Sequence, residues 1–301
     1  MSEFLDYFKG FDRARLQQTT KELVREINDD RVTGLSAEVA FFGVLSIFPG
    51  LLMIAAALGS IDILVGSHLA REAEVVVSDF LNQILTEDAS ATVAAVGDLF
   101  ESGRGGVVTF SIVFALWSLS RGFQAAMRAL NLAYDFDERR SWIKQRLTAL
   151  VFALGSVVMV AFALALLVAG PLIGGGRAVA DLVGLGEAFA ATWDVVRWPL
   201  AFALLVLWAT TLYHFAPASR TPWISDLPGA MLAGIMWLVV SAAFAGYLHL
   251  SQGFNQVLGI LGGGLILLVW LYLLALGLLV GGELNAVLAR EHGKISSVAG
   301  S

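Results

Sequence analysis

The chain alternates long apolar stretches with short polar ones, and its charges mark where each stretch begins and ends. No Asp, Glu, Lys or Arg occurs in residues 39–61, 105–120, 147–176, 198–219 or 227–282, giving runs of 23, 16, 30, 22 and 56 residues. A helix that crosses a bilayer needs roughly 20 apolar residues. Four runs reach that length, and the longest holds two helices separated by the polar stretch from His249 to Gln256. The pattern predicts an all-α polytopic membrane protein with six transmembrane helices. They fall near 39–60, 106–120 (continuing as helix to about 135), 147–171, 198–215, 229–248 and 258–282. The membrane domain is then 39–290, between an amphipathic N-terminal segment, 1–38, and a short tail, 291–301. Amphipathic helices are also expected in the outer loops. Leu69, Ala73, Val76, Phe80 and Ile84 recur every three or four residues, which suits a helix lying on the outer leaflet or capping the bundle. A weaker copy over 179–196 has Trp193 and Trp198 placed as interfacial anchors.

Orientation follows from the basic residues. With the N-terminus in the cytoplasm, the inner segments hold 15 Lys and Arg and the outer ones four: Arg71, Arg104, Arg177 and Arg197. That asymmetry obeys the positive-inside rule and collapses if the 16-residue run is not a span. Both termini are therefore expected in the cytoplasm of a bacterial inner-membrane protein. The composition agrees, with 57% hydrophobic and 15% charged residues against about 45–50% and about 25% in soluble domains. A net charge of −6 argues against a nucleic-acid partner, and the lack of cysteine removes disulfides and thiolate metal sites.

The polar groups inside the apolar pattern are the candidates for function. Arg121, Gln124, Arg128, Asn131 and Asp135 are spaced 3, 4, 3 and 4 apart and form one stripe along the second helix. Its arginines either snorkel to lipid phosphates or line a cavity that receives an anionic group. Glu38 opens the first helix, His214 closes the fourth, and Glu283 with Asn285 closes the sixth, all at one depth. Carboxylates at such a boundary face protein, water or a counter-ion, so Glu38 and Glu283 are candidate partners of Arg121 and Arg128. Pro49 kinks the first helix, for packing or beside a cavity. Tyr247, His249, Asn255 and Gln256 offer uncharged hydrogen-bonding groups on the outer side. The four histidines are scattered, no phosphate loop is present, and no nucleophile with its base is identifiable. Neither an enzyme activity nor a metal or cofactor is expected.

Four blocks in order carry a family resemblance: LSAEVAFFGVLSIFPGLL, RGFQAAMRALNLAYDFDERRSWIKQRL, LYHFAPASRTPWISDLPGAMLAG and FNQVLGILGGGLILLVWLYLLALGLLVGGELNAVL. They resemble the YihY/BrkB inner-membrane family over roughly residues 20–290. The resemblance implies six helices and a link by name to serum resistance, and it connects the chain with transport of envelope lipid or glycerophosphodiester. It also implies that the family's older label, ribonuclease BN, was an error. The polar positions matching the family pattern are Ser46, Pro49, Asn131, Tyr134, Pro217, Glu283 and Asn285. Leu258 and Gly259 depart from a Tyr-Gly pair, and Glu38 replaces a small residue, so the outer gate and Glu38 are less secure as shared features.

The leading expectation is a transporter or flippase for an anionic amphiphile or phosphodiester. Arg121 and Arg128 would receive the anion, assisted by Gln124, Asn131 and Tyr134. Glu38, Pro49, His214, Glu283 and Asn285 would serve as gating or ion-pair groups, and His249 and Asn255 would lie on the outer side. Its partners would be membrane lipids. The alternative is an envelope-integrity scaffold that transports nothing.

Overall fold

The computed structural model describes residues 13–46, 105–164, 187–250 and 255–291. These residues form seven helices: α1 Arg13–Asp29, α2 Val32–Ser46, α3 Gly105–Ala133, α4 Trp142–Leu164, α5 Glu187–Phe215, α6 Trp223–Leu250 and α7 Asn255–Glu291. No strand occurs among them. Four helices contain stretches long and apolar enough to cross a membrane: Trp142–Val160, Val195–Phe215, Trp223–Tyr247 and Gly263–Glu291. The chain is an all-α polytopic membrane protein. Pro49 and the amphipathic segment of 68–85 lie outside the described residues, as does the first part of 179–196, up to residue 186.

The side-chain distribution is that of a bundle built for lipid. Large apolar residues such as Phe110, Val158, Phe162, Trp198, Val239 and Leu265 face outward. The interior is lined by Ala125, Ala129, Ala149, Ala153, Ala209, Ala230, Ala233, Ala286 and Ala289, and by buried polar groups. Small residues let helix backbones approach closely, which drives association where lipid tails cancel any hydrophobic gain.

The chain divides into two compact units, one of residues 1–35, 124–238 and 276–301, the other of 36–123 and 239–275. In the second unit, Gly122 of α3 lies against Phe42 and Val39 of α2, and Gly43 of α2 lies against Leu271 of α7. In the first unit, Gly155 of α4 receives the ring of Trp208 of α5, whose Nε1 donates to Ser156 Oγ at 3.1 Å. Gly229 of α6 and Gly281 of α7 pack backbone to backbone. A Cβ on either would collide with the other's carbonyl oxygen, so these positions require glycine. Gly277, one turn earlier on the same face, abuts Met236 and Trp237.

Helix ends run past the charges at which the sequence pattern places them. The sixth span is expected to stop near 282, yet α7 continues through Glu283 to Glu291. The fifth is expected to begin near 229, yet α6 begins at Trp223 with Asp226 in its first turn. Pro228 thus sits inside α6, and its ring and missing N–H disturb the first turns. The side chain of Asn285 mends them: Nδ2 donates to the Asp226 carbonyl at 2.9 Å, and Oδ1 accepts from the Gly229 N–H at 2.6 Å. Similarly, α3 ends where Asp135 adopts φ 56°, with Asp135 N–H donating to Leu132 C=O and Phe136 N–H to Asn131 C=O. This is the left-handed stop that Asp tolerates better than most residues.

Candidate functional site

The polar residues of the first unit converge on Asp226. Its carboxylate is fully buried, at 0% exposure, in the first turn of α6, where the helix dipole favours a negative group. Oδ1 accepts from Thr221 Oγ1 at 2.5 Å and from the Tyr134 hydroxyl at 3.4 Å. Oδ2 faces His214 Nδ1 at 3.3 Å, an ion-pair distance without the alignment of a hydrogen bond. The imidazole is held against Trp223, with ring centroids 5.0 Å apart, and stands edge-on to Phe215 at 4.6 Å. Tyr213, one residue before, spends its hydroxyl on the Leu278 carbonyl at 2.6 Å. The end of α3, the end of α5, the start of α6 and the last turns of α7 are thereby tied together.

A second set of bonds holds the loops over this cluster. Asn131 Nδ2 donates to Glu138 Oε2 at 2.8 Å, and Asn131 Oδ1 accepts from Ala218 N–H at 2.6 Å. Arg140 grips Glu138 through Nε and Nη2, both at 2.9 Å, and donates to the Ala216 carbonyl at 2.7 Å. These bonds from Arg140 hold the Glu138 carboxyl well below its usual range, at about 2, against the opposing effect of burial. The α3–α4 loop is thus clipped to the α5–α6 loop by one asparagine and one ion pair.

Near the end of α7, Glu283 is 1% exposed, and its Oε2 is buried without a hydrogen-bond partner. Arg290 bonds Asp135 at 2.7 Å and approaches Glu26 at 3.8 Å.

The residues singled out from sequence are distributed as follows. His214, Tyr134, Asn131 and Asn285 are buried and join the Asp226 cluster or its clips. Gln124 is buried and accepts from Arg146 at 3.2 Å. Arg121 is half-buried, its guanidinium 5.2 Å from the Phe42 ring and 5.9 Å from the Trp117 ring, whereas Arg128 is exposed. The stripe on α3 is therefore not uniform: Gln124 and Asn131 turn inward, Arg128 and Asp135 outward. Glu38 is half-buried. Glu283 is buried on α7. His249 and Asn255 occupy helical backbone, with side chains outside the described set.

Sequence reasoning missed Asp226, Thr221 and Arg290 as cluster members. Asp226 was legible only as a helix cap, because Ser-Asp-x-Pro is a helix-start pattern. Among the described residues, no group of three or more His, Asp or Glu is placed to hold a metal ion.

Comparison with known proteins finds matches along most of the chain. The family model described as Virulence factor BrkB matches residues 23–299. A ribonuclease-like protein of Bacillus subtilis, YfkH, is 33% identical over 257 residues, covering 85% of this chain and 90% of its own length. A UPF0761 membrane protein of Vibrio vulnificus is 26% identical over 302 residues, covering 94% of this chain and 88% of its own. A UPF0761 membrane protein of Vibrio cholerae is 26% identical over 280 residues, covering 90% and 86%. No solved structure is significantly similar.

Proposed function

The chain belongs to the Virulence factor BrkB family of membrane proteins, and from that premise we propose that it is a transporter or flippase of an anionic amphiphile or phosphodiester in the cytoplasmic membrane, both termini inside. The observation that carries this reading is the pairing of fully buried Asp226 with His214 across α5 and α6. Ionisable side chains are costly in such a setting, and those retained mark substrate or proton pathways.

Anion capture falls to arginine, whose planar fork donates two hydrogen bonds to one phosphate. Arg128 is exposed on α3, and Arg121 lies over an aromatic surface suited to an acyl chain. Gln124, Asn131, Tyr134 and Asn285 act in this reading as positioning residues, because their polar atoms are engaged with protein.

The test is reconstitution into liposomes carrying a fluorescent anionic phospholipid, with movement between leaflets as the readout. Wild type should move the probe above empty liposomes. Arg121→Gln with Arg128→Gln should slow it by roughly tenfold or more, the worth of a charge-assisted bond or two. Asp226→Asn should change its pH profile. Wild type with no activity above empty liposomes would overturn transport in favour of the second reading, a non-transporting envelope scaffold. That alternative is favoured by how many of the buried polar groups are occupied with stitching loops together.

A further inference from the structure

At one end of the first unit, three membrane-spanning stretches finish in exposed aromatic residues. Trp142 opens the span of α4, Phe215 closes that of α5 and Trp223 opens that of α6. Aromatic residues in such places lie at the level of lipid headgroups. Exposed cations accompany them: Arg139 shortly before Trp142, Lys144 in the first turn of α4, and Arg220 shortly before Trp223. We propose that this end is a docking surface for phospholipids whose headgroups carry net negative charge, with Arg139, Lys144 and Arg220 as the receptor.

The two loops that bring these cations together are neighbours, because Arg140 donates to the Ala216 carbonyl at 2.7 Å and Asn131 accepts from the Ala218 N–H at 2.6 Å. Their acids are mostly committed. Asp135 is bonded to Arg290 and Glu138 to Arg140, which leaves exposed Asp137 against the three cations. None of the three forms an ion pair among the described residues. No acid occupies the first turn of α4 to balance Lys144. The Arg220 guanidinium lies 4.9 Å from the centre of the Phe215 ring, with no carboxylate beside it. Positive charge in excess at headgroup level is complementary to an anionic lipid surface.

The apolar surface beside the cations selects a lipid over a soluble anion. Ile143, Leu147, Val151 and Val158 lie on one side of α4 at helical spacing, and all are exposed. A phospholipid satisfies both parts, its phosphate meeting a guanidinium fork and its acyl chain lying along α4. A zwitterionic lipid offers the same chain but carries an ammonium that cancels its phosphate charge, so charge sets the preference. This surface includes neither Arg121 nor Arg128, and its occupancy holds whether or not the protein transports anything.

The experiment offers the full chain in detergent an equimolar mixture of phosphatidylglycerol and phosphatidylcholine and counts the lipids retained by native mass spectrometry. The wild type should retain phosphatidylglycerol in preference. The triple variant Arg139→Gln, Lys144→Gln, Arg220→Gln should lose that preference by roughly tenfold or more while keeping phosphatidylcholine, since each basic residue at a membrane surface adds to anionic binding. Arg139→Lys with Arg220→Lys keeps the charge and should behave as wild type. Arg121→Gln with Arg128→Gln should also keep the preference, so this result and the transport assay above stand or fall separately. Equal retention of the two lipids by the wild type, or an unchanged preference in the triple variant, overturns the proposal, as does displacement of the lipid by inorganic phosphate. Should the triple variant fail to fold, hydrogen exchange of the wild type supplies the readout: residues 137–145 and 216–224 should be better protected in phosphatidylglycerol nanodiscs than in phosphatidylcholine ones, and equal exchange overturns the assignment.

Discussion

Asp226 and Glu283 are equally buried, yet their surroundings are opposite. Asp226 receives two hydroxyls, faces an imidazole and sits at a helix N-terminus, so every neighbour named for it offers positive charge or a donor. Glu283 has an oxygen, Oε2, without a hydrogen-bond partner, and Arg290 is engaged with Asp135. Burial removes water from both alike, and what replaces the water decides how each acid is held. The first carboxyl is an acceptor shared by side chains of several elements. The second has a buried oxygen with nothing to accept from.

The sharpest way to break this contrast is truncation. Asp226→Ala leaves His214, Thr221 and Tyr134 without their shared acceptor and should cost about 3–5 kcal/mol, as for other buried pairs that lose one member. Glu283→Gln should cost far less, because the carboxyl it replaces has an oxygen, Oε2, with no hydrogen bond to lose. Thermal unfolding in detergent across pH compares the two, and equal losses would refute the distinction. Next in size is the helix contact between the two acids. Gly229→Ala must displace the Gly281 carbonyl and the Asn285 clip, and should cost about 1–3 kcal/mol. Gly263→Ala, with nothing within 4 Å of the added methyl, should be neutral or stabilising by up to about 1 kcal/mol through helix propensity.

The smallest expected effect is at the loop clip. Glu138 is held at about 2 by Arg140, so its contribution is complete above the ordinary 4.5 and fades as pH falls through about 2. Hydrogen exchange in residues 134–141 should therefore rise in acid, and exchange there that does not change with pH would refute the clip.

Much of this was legible beforehand. Charge-free runs located α3, α4, α5, α6 and α7, because only apolar residues tolerate lipid. The gathering of His214, Asn131 and Asn285 at one depth followed from counting along the spans. Helix ends were not legible. A charge stops a hydropathy run, but the backbone bonds of α7 continue unaffected through Glu283, whose side chain points into protein. Asp226 was hidden for a related reason, since a local capping pattern describes it as well as its actual partners do. Those partners, Thr221 apart, lie on α3 and α5, far away in sequence.

What the sequence determined by itself is the solvent of each segment and hence the class of fold: transfer free energy depends on side-chain chemistry summed over about 20 residues, and that sum is local. Tertiary structure alone decided which polar groups meet. The encounters of Asp226 with His214 and of Asn285 with Gly229 depend on how closely helix backbones approach. That approach is set by the glycines and alanines of several helices together, and no single stretch of the chain encodes it.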